Sequence, residues 1–434
     1  MPKHLKRLVI AVACVALACS TLAACSGNPA EDLSQRGEIA GDLRVVVNWT
    51  GAEGEAFAAI IAAFEDRHPE VTVTIEPVPF NQTLAQLTQE YVSGNPPDIS
   101  IATPGIMKLL ADQGLLLDLT DQWESWTTSG EYGDVERRLS SSTGGAPSAV
   151  PFKSYVATTV WYNPHTLKDL GLEVPQTWDE MLAAMDAAKA AGLDPIANGG
   201  QDGWPTTDWL DTFLVRVAGN EVFEALQKNE ISWDDPAVVQ AMNVTAEVFG
   251  TYLPTTTLGK SFTDASCDLV GGNALFQNNG SFMPIVYSGS CGEDLQPGVD
   301  YDFFAVPTLD PTVTPTQVVN IDLMVGAKST KNPAATKALL AWLGSADAQE
   351  IWVERGGFIA PNAEVPLNSY PNELMSRNAA LWPRDGVALV FDLDDYIGGE
   401  FQAGYWVNIQ KFVQTLDVDE FVASMVSLAG STLS

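Results

Sequence analysis

Apolar positions in the first third of the chain recur with two alternating periods, which predicts strands and helices in turn. A short apolar run at 43–47 is typical of a buried strand, and apolar positions over 57–64 recur at helical spacing. Alternation at 71–78 predicts a second strand, 81–93 a second helix and 98–101 a third strand. This β-α-β-α-β order favours a parallel sheet with right-handed crossovers.

The middle of the chain repeats the alternation and predicts a second α/β unit. A strand is expected at 156–162, followed by a helix over 177–192 that opens with a Thr-x-x-Glu capping box. A cap followed by proline predicts a further helix over 235–250, ending at its glycine. Residues 317–325 return to the pattern of a buried strand, and Asn332 with its following proline caps another helix.

The first 25 residues have the pattern of an export signal. Three basic residues precede an apolar stretch over 8–19, which is too short to span a bilayer. Leu-Ala-Ala-Cys at 22–25 resembles the bacterial lipobox, so 1–24 is expected to be a lipoprotein signal peptide. An ordinary signal peptide is the alternative. The lipidated Cys25 and a flexible tether would then occupy 25–41, holding the protein at the outer face of the cytoplasmic membrane.

The composition limits the kinds of molecule that the protein is expected to bind. The 434 residues include 22 Lys plus Arg against 55 Asp plus Glu, a net charge of −33. Apolar residues make up 46% of the chain, which is a globular composition. So acidic a chain is not expected to bind nucleic acid, or to dock on anionic lipid by charge.

Cysteine usage predicts one disulfide. Cys14 and Cys19 lie in the signal segment and Cys25 would carry lipid, which leaves Cys267 and Cys291. Two remaining cysteines in an exported chain are expected to pair, with two free thiols as the alternative.

Catalytic and metal-binding motifs are scarce. Only His68 and His165 follow the signal segment, and neither a Gly-x-Ser-x-Gly elbow nor a His-Glu-x-x-His motif occurs. The acidic run 392–395 lacks the following glycine and distal glutamate of a calcium loop, so a solvated acidic turn or a ligand contact is expected. No metal site and no cofactor are therefore expected. The sequence does not exclude a pair of carboxylates that could hydrolyse glycosides, so an enzymatic function stays open.

Eight motifs in order resemble the extracellular solute-binding protein family 1, the carbohydrate receptors of ABC importers. They are the lipobox, WTG at 49–51, SGNPPDI at 93–99, GLLLDLTD at 114–121, VWYNP at 160–164, GLEVPQTWDE at 171–180, GSF at 280–282 and GGFIAPN at 356–362. The segments around Trp204 and around Trp406 are most similar to the α-glucoside-binding branch. The chain departs from that branch at Phe282, where relatives often have Trp, and in the turn 396–399.

The resemblance implies an α/β, two-lobed periplasmic-binding-protein fold of type II, maltose-binding-protein-like, with hinged lobes. Lobe 1 would comprise 42–153 plus 312–358, and lobe 2 would comprise 154–311 plus 359–434. The ligand would be clamped between them, outside the carboxyl ends of the strands. The implied protein performs no chemistry, acts as a monomer and delivers its ligand to the transmembrane subunits of an ABC permease.

A pyranose offers apolar faces and a rim of hydroxyls, so its contacts should combine aromatic rings with carboxylates or amides. The expected ligand contacts are Trp49, Glu53, Thr103, Lys153, Tyr155, Trp204, Asp208, Asn279, Ser281, Phe282, Asp322, Asp395 and Trp406. Trp49 and Thr103 follow predicted strands, and Asp322 lies inside an apolar strand, where a carboxylate needs a partner. Asp395 and Trp406 rest on the resemblance alone.

The expected ligand is a neutral sugar, an α-linked di- or oligosaccharide. A glycerol-phosphate or other polyol receptor of the same fold is one alternative, although few cationic residues are available to bind phosphate. An exported glycoside hydrolase is the alternative from another class.

Overall fold

The computed structural model describes residues 39–142, 145–309, 312–382 and 388–433. The predicted signal peptide, Cys25 and most of the predicted tether lie outside the described residues. Within the described ranges, no helix combines the length and the hydrophobicity that a membrane span requires.

The strands of the described ranges, in chain order, are β1 (Gly41–Val47), β2 (Val71–Pro77), β3 (Ile99–Ala102), β4 (Ala149–Val156), β5 (Thr159–Tyr162), β6 (Asp194–Ile196), β7 (Ala274–Asn278), β8 (Asp302–Ala305), β9 (Thr316–Gly326) and β10 (Ala388–Phe391).

The α-helices of the same ranges are α1 (Gly51–Arg67), α2 (Phe80–Val92), α3 (Pro104–Asp112), α4 (Thr120–Ser129), α5 (Asp134–Leu139), α6 (Pro164–Asp169), α7 (Trp178–Ala190), α8 (Trp204–Val217), α9 (Asn220–Gln227), α10 (Pro236–Tyr252), α11 (Phe262–Val270), α12 (Met283–Val286), α13 (Pro333–Leu343), α14 (Ala346–Val353), α15 (Glu373–Ala379), α16 (Leu393–Ile397), α17 (Gly399–Thr415) and α18 (Val418–Thr432).

The larger sheet has the order β10-β9-β3-β1-β2, with β4 paired to β9. Strand β1 is parallel to both β2 and β3, so the β-α-β-α-β prediction is confirmed. Strand β9 runs antiparallel to β3 and β4, as the return strand that the sequence pattern indicated near residue 317. The core of this lobe surrounds the apolar sides of α1, α3, α13 and α14.

The smaller sheet has the order β6-β7-β5-β8 and carries a second core. Strand β6 is parallel to β7, whereas β5 is antiparallel to both neighbours. Helices α7, α8, α10, α17 and α18 bury their apolar faces in this second core. The molecule therefore has two lobes, each with a sheet and a core of its own.

The predicted single strand over 156–162 is wrong, because the segment contains parts of two strands in different sheets. Strand β4 ends at Val156, which lies in the core of the larger lobe, and Ala157 already lies in the core of the smaller lobe. Strand β9 crosses beside it, with Val318 in the smaller core and Val319 in the larger. Polar and proline residues in β4 (AVPFKSYV) obscured its apolar pattern.

The capping residue predicted the start of helix α7, whereas the predicted end of helix α10 is wrong. The side chain of Thr177 accepts from the Glu180 backbone N–H at 3.2 Å, as the predicted capping box requires. The expected end of α10 at Gly250 is wrong: the helix continues to Tyr252, and the residues Leu253 and Pro254 end it.

A disulfide joins Cys267 in α11 to Cys291 in a π-helical turn, so the predicted pairing is present in the structure.

The division of the chain between the lobes at 153/154, 311/312 and 358/359 stays a prediction. Beyond the last of these points, Ile359, Val365 and Tyr370 pack in the core of the larger lobe.

Candidate functional site

A cavity of about 250 Å³ lies between the two lobes. Ten of the predicted contact residues line it: Trp49, Glu53, Lys153, Tyr155, Trp204, Asp208, Phe282, Asp322, Asp395 and Trp406. They come from both lobes and from segments far apart in sequence. The fold therefore gathers most of the predicted site around one space, and their role in binding stays a prediction.

The wall from the larger lobe is built on a group of three charged side chains. Lys153 of β4 and Asp322 of β9 are opposite each other in the strand register, and Lys153 forms an ion pair with Glu53 in the first turn of α1. Desolvation raises the pKa of Asp322 to about 6, although Lys153 and a hydrogen bond from Trp49 oppose the shift. Desolvation lowers the pKa of Lys153, but Glu53 and Asp322 outweigh it and the pKa is raised. Two carboxyls thus share one ammonium.

Trp49 belongs both to the cavity wall and to the core. Its ring lies 5.1 Å from those of Phe57 and Trp352, and its side chain is almost fully buried. Strand β1 delivers Trp49 to the point where the core meets the cavity, and its role as a cleft residue stays a prediction.

Tyr155 stands where the chain crosses between lobes. Its phenol oxygen accepts from the Asn320 amide at 2.6 Å, and its ring meets Phe282 edge to face with centroids 5.3 Å apart. Burial and the carboxylates Asp395 and Asp392 raise the pKa of Tyr155 well above its usual value. The phenol is therefore neutral, and its O–H remains a donor for a ligand.

The smaller lobe contributes an aromatic wall. Trp204 begins α8 and lies 4.7 Å from Phe262 and 6.4 Å from Phe282, measured between ring centroids. Gly203 precedes it with φ +82°, and a Cβ there would lie 2.9 Å from the Cβ of Trp406. Only glycine permits this approach of α8 to α17, which brings both indoles to the cavity.

Beside the aromatic wall, five aspartates form the acidic cluster, which we define as Asp208, Asp211, Asp392, Asp394 and Asp395. The first two lie one turn apart on α8, and the other three lie at the N-terminus of α16. The backbone N–H of Leu393 donates to Asp211 at 2.8 Å, which fastens the two segments together. The carboxyls of the cluster are largely buried, so the expected solvated turn at 392–395 is wrong and the alternative of a ligand contact stays a prediction.

Most members of the acidic cluster have a hydrogen-bond donor. Gln402 donates to Asp395 at 2.5 Å, Asn320 also donates to Asp395, and the indole N–H of Trp406 donates to Asp394. Asp392 accepts from the backbone N–H of Asp395 at 3.2 Å. Asp208 differs, because its side chain faces the cavity and no described residue donates a hydrogen bond to its carboxyl.

Burial and repulsion between carboxyls favour the protonated form of four cluster members, Asp208, Asp211, Asp392 and Asp395. Burial, together with Asp394, raises the pKa of Asp395 to about 8, against the hydrogen bonds from Asn320 and Gln402. The same two causes raise the pKa values of Asp208, Asp211 and Asp392 well above the ordinary range. Protonated carboxyls donate as well as accept hydrogen bonds, which suits hydroxyl ligands.

Three predicted contacts lie outside the cavity wall and make structural hydrogen bonds. Thr103 caps α3 by accepting from the Ile106 N–H at 3.4 Å. The Ser281 hydroxyl accepts from the Val156 N–H at 3.2 Å, at the lobe crossing. The Asn279 carbonyl accepts from the Thr159 hydroxyl at 2.5 Å.

The sequence analysis missed six residues of the wall: Asn48, Thr207, Phe262, Val286, Asp392 and Asp394. Asn48 and Thr207 adjoin predicted contacts, and the two aspartates share the acidic run with Asp395, so proximity in sequence was the available signal. Phe262 and Val286 reach the cavity through tertiary packing, which no local pattern reports. Across the part of the chain that the structure describes, no group of three or more His, Cys, Asp or Glu residues is arranged to hold a metal ion.

Comparison with known proteins agrees with this architecture. Residues 48–350 match the family model described as bacterial extracellular solute-binding protein. The alpha-glucosides-binding periplasmic protein AglE of Rhizobium meliloti is 27% identical over 395 residues, covering 86% of this chain and 83% of that protein. The osmoprotective compounds-binding protein GgtB of Synechocystis is 25% identical over 344 residues, covering 75% and 78%.

Solved structures share the two-lobed fold. The bacterial solute receptor AcbH superposes with a TM-score of 0.80 at 24% identity, covering 92% of this chain and 100% of that one. The GacH receptor of Streptomyces glaucescens superposes with a TM-score of 0.73 at 18% identity, covering 91% and 99%. These likenesses show the fold, and the match over residues 48–350 shows that the chain belongs to the bacterial extracellular solute-binding protein family.

Proposed function

We propose that this protein is the lipid-anchored sugar receptor of an ABC importer. It binds a neutral sugar, an α-linked di- or oligosaccharide, between its lobes and passes it unchanged to the permease subunits. The observation that carries the proposal is the composition of the cavity wall, where an aromatic surface stands beside buried carboxyl groups.

The two kinds of wall match the two kinds of surface on a pyranose. Trp204, Phe262 and Phe282 offer apolar ring faces to the C–H faces of the sugar. Asp208 and Asp395, with the Tyr155 hydroxyl, offer donors and acceptors to the rim of hydroxyls. A hydrophobic cavity with a few placed polar groups is the usual form of a small-molecule site.

The relatives support a saccharide ligand. AglE is named for alpha-glucosides, AcbH is described as preferring β-D-galactopyranose, and GacH has been crystallised with acarbose. AglE combines the highest identity of these three with coverage of most of both chains, which supports the α-glucoside class for this protein.

The charge of the wall disfavours an anionic ligand such as a glycerol phosphate. Lys153 is the one cationic side chain that lines the cavity within the described ranges, and Glu53 already pairs with it. A phosphate would also lose its hydration in the cavity without a free cation to pair with, which costs free energy.

Export and anchoring complete the proposal. The basic and apolar segments at the N-terminus would direct secretion, and acylation of Cys25 would hold the protein at the outer face of the cytoplasmic membrane. The acidic surface would not itself attract anionic lipid.

Titration calorimetry of the mature protein with maltose, trehalose, maltotriose and glycerol 3-phosphate tests the proposal. We expect saturable binding of at least one sugar, no binding of glycerol 3-phosphate, and no new reducing ends after prolonged incubation. Trp204→Ala should weaken sugar binding at least about tenfold, which is about 1.4 kcal/mol. Trp178→Ala, on a helix outside the cavity, is the matched control. Tight binding of glycerol 3-phosphate, or hydrolysis of maltotriose, would overturn the proposal.

A further inference from the structure

The cavity wall contains more carboxyl groups than a neutral ligand requires. Six acidic side chains line it against the single ammonium of Lys153, and that ammonium serves Glu53 and Asp322 on the larger lobe. Within the described wall, the carboxyls on the smaller-lobe side therefore have no cation beside them.

Asp208 is the member of this group that lacks a partner. Its side chain lines the cavity, only 4% of the residue is exposed, and no described residue donates to it. Its neighbours Asp394 and Asp395 do have donors, from Trp406, Asn320 and Gln402. The carboxyl oxygens of Asp208 are open to the cavity, so a ligand there can supply the hydrogen-bond donor that the described residues do not.

The surroundings of Asp208 favour a positively charged donor over a neutral hydroxyl. The groups that act on it are Asp211 on its own helix, Asp394 and Asp395 on α16, and Tyr155 on β4. A cation among them would relieve carboxyl repulsion and allow Asp208 to ionise, releasing its proton to solvent. The ring faces of Trp204 and Phe282 line the same cavity, and aromatic faces also attract cations.

We infer that the cavity binds an aminated saccharide more tightly than the matching neutral saccharide, with the ligand ammonium paired to Asp208. This inference rests on the proposed function as a saccharide receptor, and it extends the ligand class from neutral sugars to aminated ones. Ammonium–carboxylate hydrogen bonds are stronger than those between neutral groups, so the preference follows from the pairing.

The test compares trehalose with its 2-amino, 4-amino and 6-amino derivatives by calorimetry on the mature protein, with maltose as a second neutral sugar. At least one amine should bind about tenfold or more tightly than trehalose. Asp208→Asn should abolish that preference, so that the amines bind this variant no more tightly than trehalose does. Asp179→Asn removes one exposed carboxylate from α7 and should keep the preference.

The outcomes separate the two proposals. If maltose or trehalose binds and no amine binds more tightly than trehalose, the inference is overturned and the proposed function stands. If the preference survives in Asp208→Asn, the assignment to Asp208 is overturned. If neither the neutral sugars nor the amines bind to a folded protein, both proposals fail. If the variant does not fold, the comparison of trehalose with its amino derivatives on the unmutated protein still tests whether an amine binds more tightly.

Discussion

Gly105 in α3 and Gly398 after α16 touch backbone to backbone across the two lobes. A methyl group on Gly105 would lie 2.7 Å from the Cα of Gly398, closer than real side chains approach. Helix α3 packs in the larger core through Met107, whereas Leu393 of α16 packs in the smaller core. The approach of the lobes beside the acidic cluster thus depends on two residues without side chains.

Gly105→Ala should therefore separate the lobes at this contact. Overpacking of this kind costs about 1–3 kcal/mol, which would appear as weaker ligand binding, as lower stability, or as both. Calorimetry and denaturant unfolding measure the two effects. Gly430→Ala, in a helix where a Cβ meets no neighbour within 4 Å, is the control. Wild-type affinity and stability in Gly105→Ala would show that the contact does not limit closure.

Lys153→Met should destabilise the protein by about 3 kcal/mol, because it leaves the carboxyls of Glu53 and Asp322 without their shared cation. The partial exposure of Glu53 reduces its share of this cost. Urea unfolding gives the change in free energy. Lys228→Met breaks an exposed i,i+4 pair with Glu224 and should cost at most about 0.5 kcal/mol. Equal effects of the two substitutions would contradict the role of the buried group.

The acidic cluster should make the folded state more stable in mild acid than in mild alkali. The pKa of Asp395 is about 8 in the folded protein, whereas an unfolded aspartate has a pKa of about 3.9. The folded state therefore binds more protons between these values, and stability falls as the pH rises through that window. Asp322, with a pKa of about 6, contributes in the same direction up to its own pKa.

Urea midpoints at pH 5, 6.5 and 8 measure this trend. In Asp395→Asn the decline between pH 5 and pH 8 should be smaller, because one titrating group is gone. A protein that becomes more stable towards pH 8 would show that these carboxyls are already ionised in mild acid.

The disulfide should stabilise the protein by about 3 kcal/mol in the chain-entropy model, since it closes a loop between residues 24 positions apart. The double variant Cys267→Ser with Cys291→Ser should unfold at correspondingly lower denaturant concentration. Dithiothreitol should lower the stability of the unmutated protein and leave that of the double variant unchanged. Stability unaffected by reduction would mean that the thiols are free in solution.

The sequence predicted those structural features that depend only on residues close together in the chain. The capping box at Thr177 and the alternation of strands and helices from β1 to β3 need only neighbouring residues, and both are present. The predicted end of α10 was wrong because Gly250 does not adopt the left-handed conformation that ends a helix.

The acidic cluster could not be predicted as a unit. Asp211 and Leu393 meet through a hydrogen bond that links residues 182 positions apart, and no motif reports such a pairing. Phe262 joins Trp204 and Phe282 for the same reason, since the folding of three segments brings their rings together. The resemblance supplied Asp395 and Trp406, which physical patterns alone would have placed on the surface and in the core.

The crossing between the lobes includes β4 and β9 side by side, and β10 pairs with β9 at the same place. The Ala157 N–H donates to the Val318 carbonyl at 2.8 Å where β4 and β9 leave the larger core. Because these strands are hydrogen-bonded to one another, a hinge motion of the lobes would bend them together rather than separately. A partner that touches both lobes would therefore meet a limited set of shapes, and the spacing between its two contact points would report whether the cavity is filled.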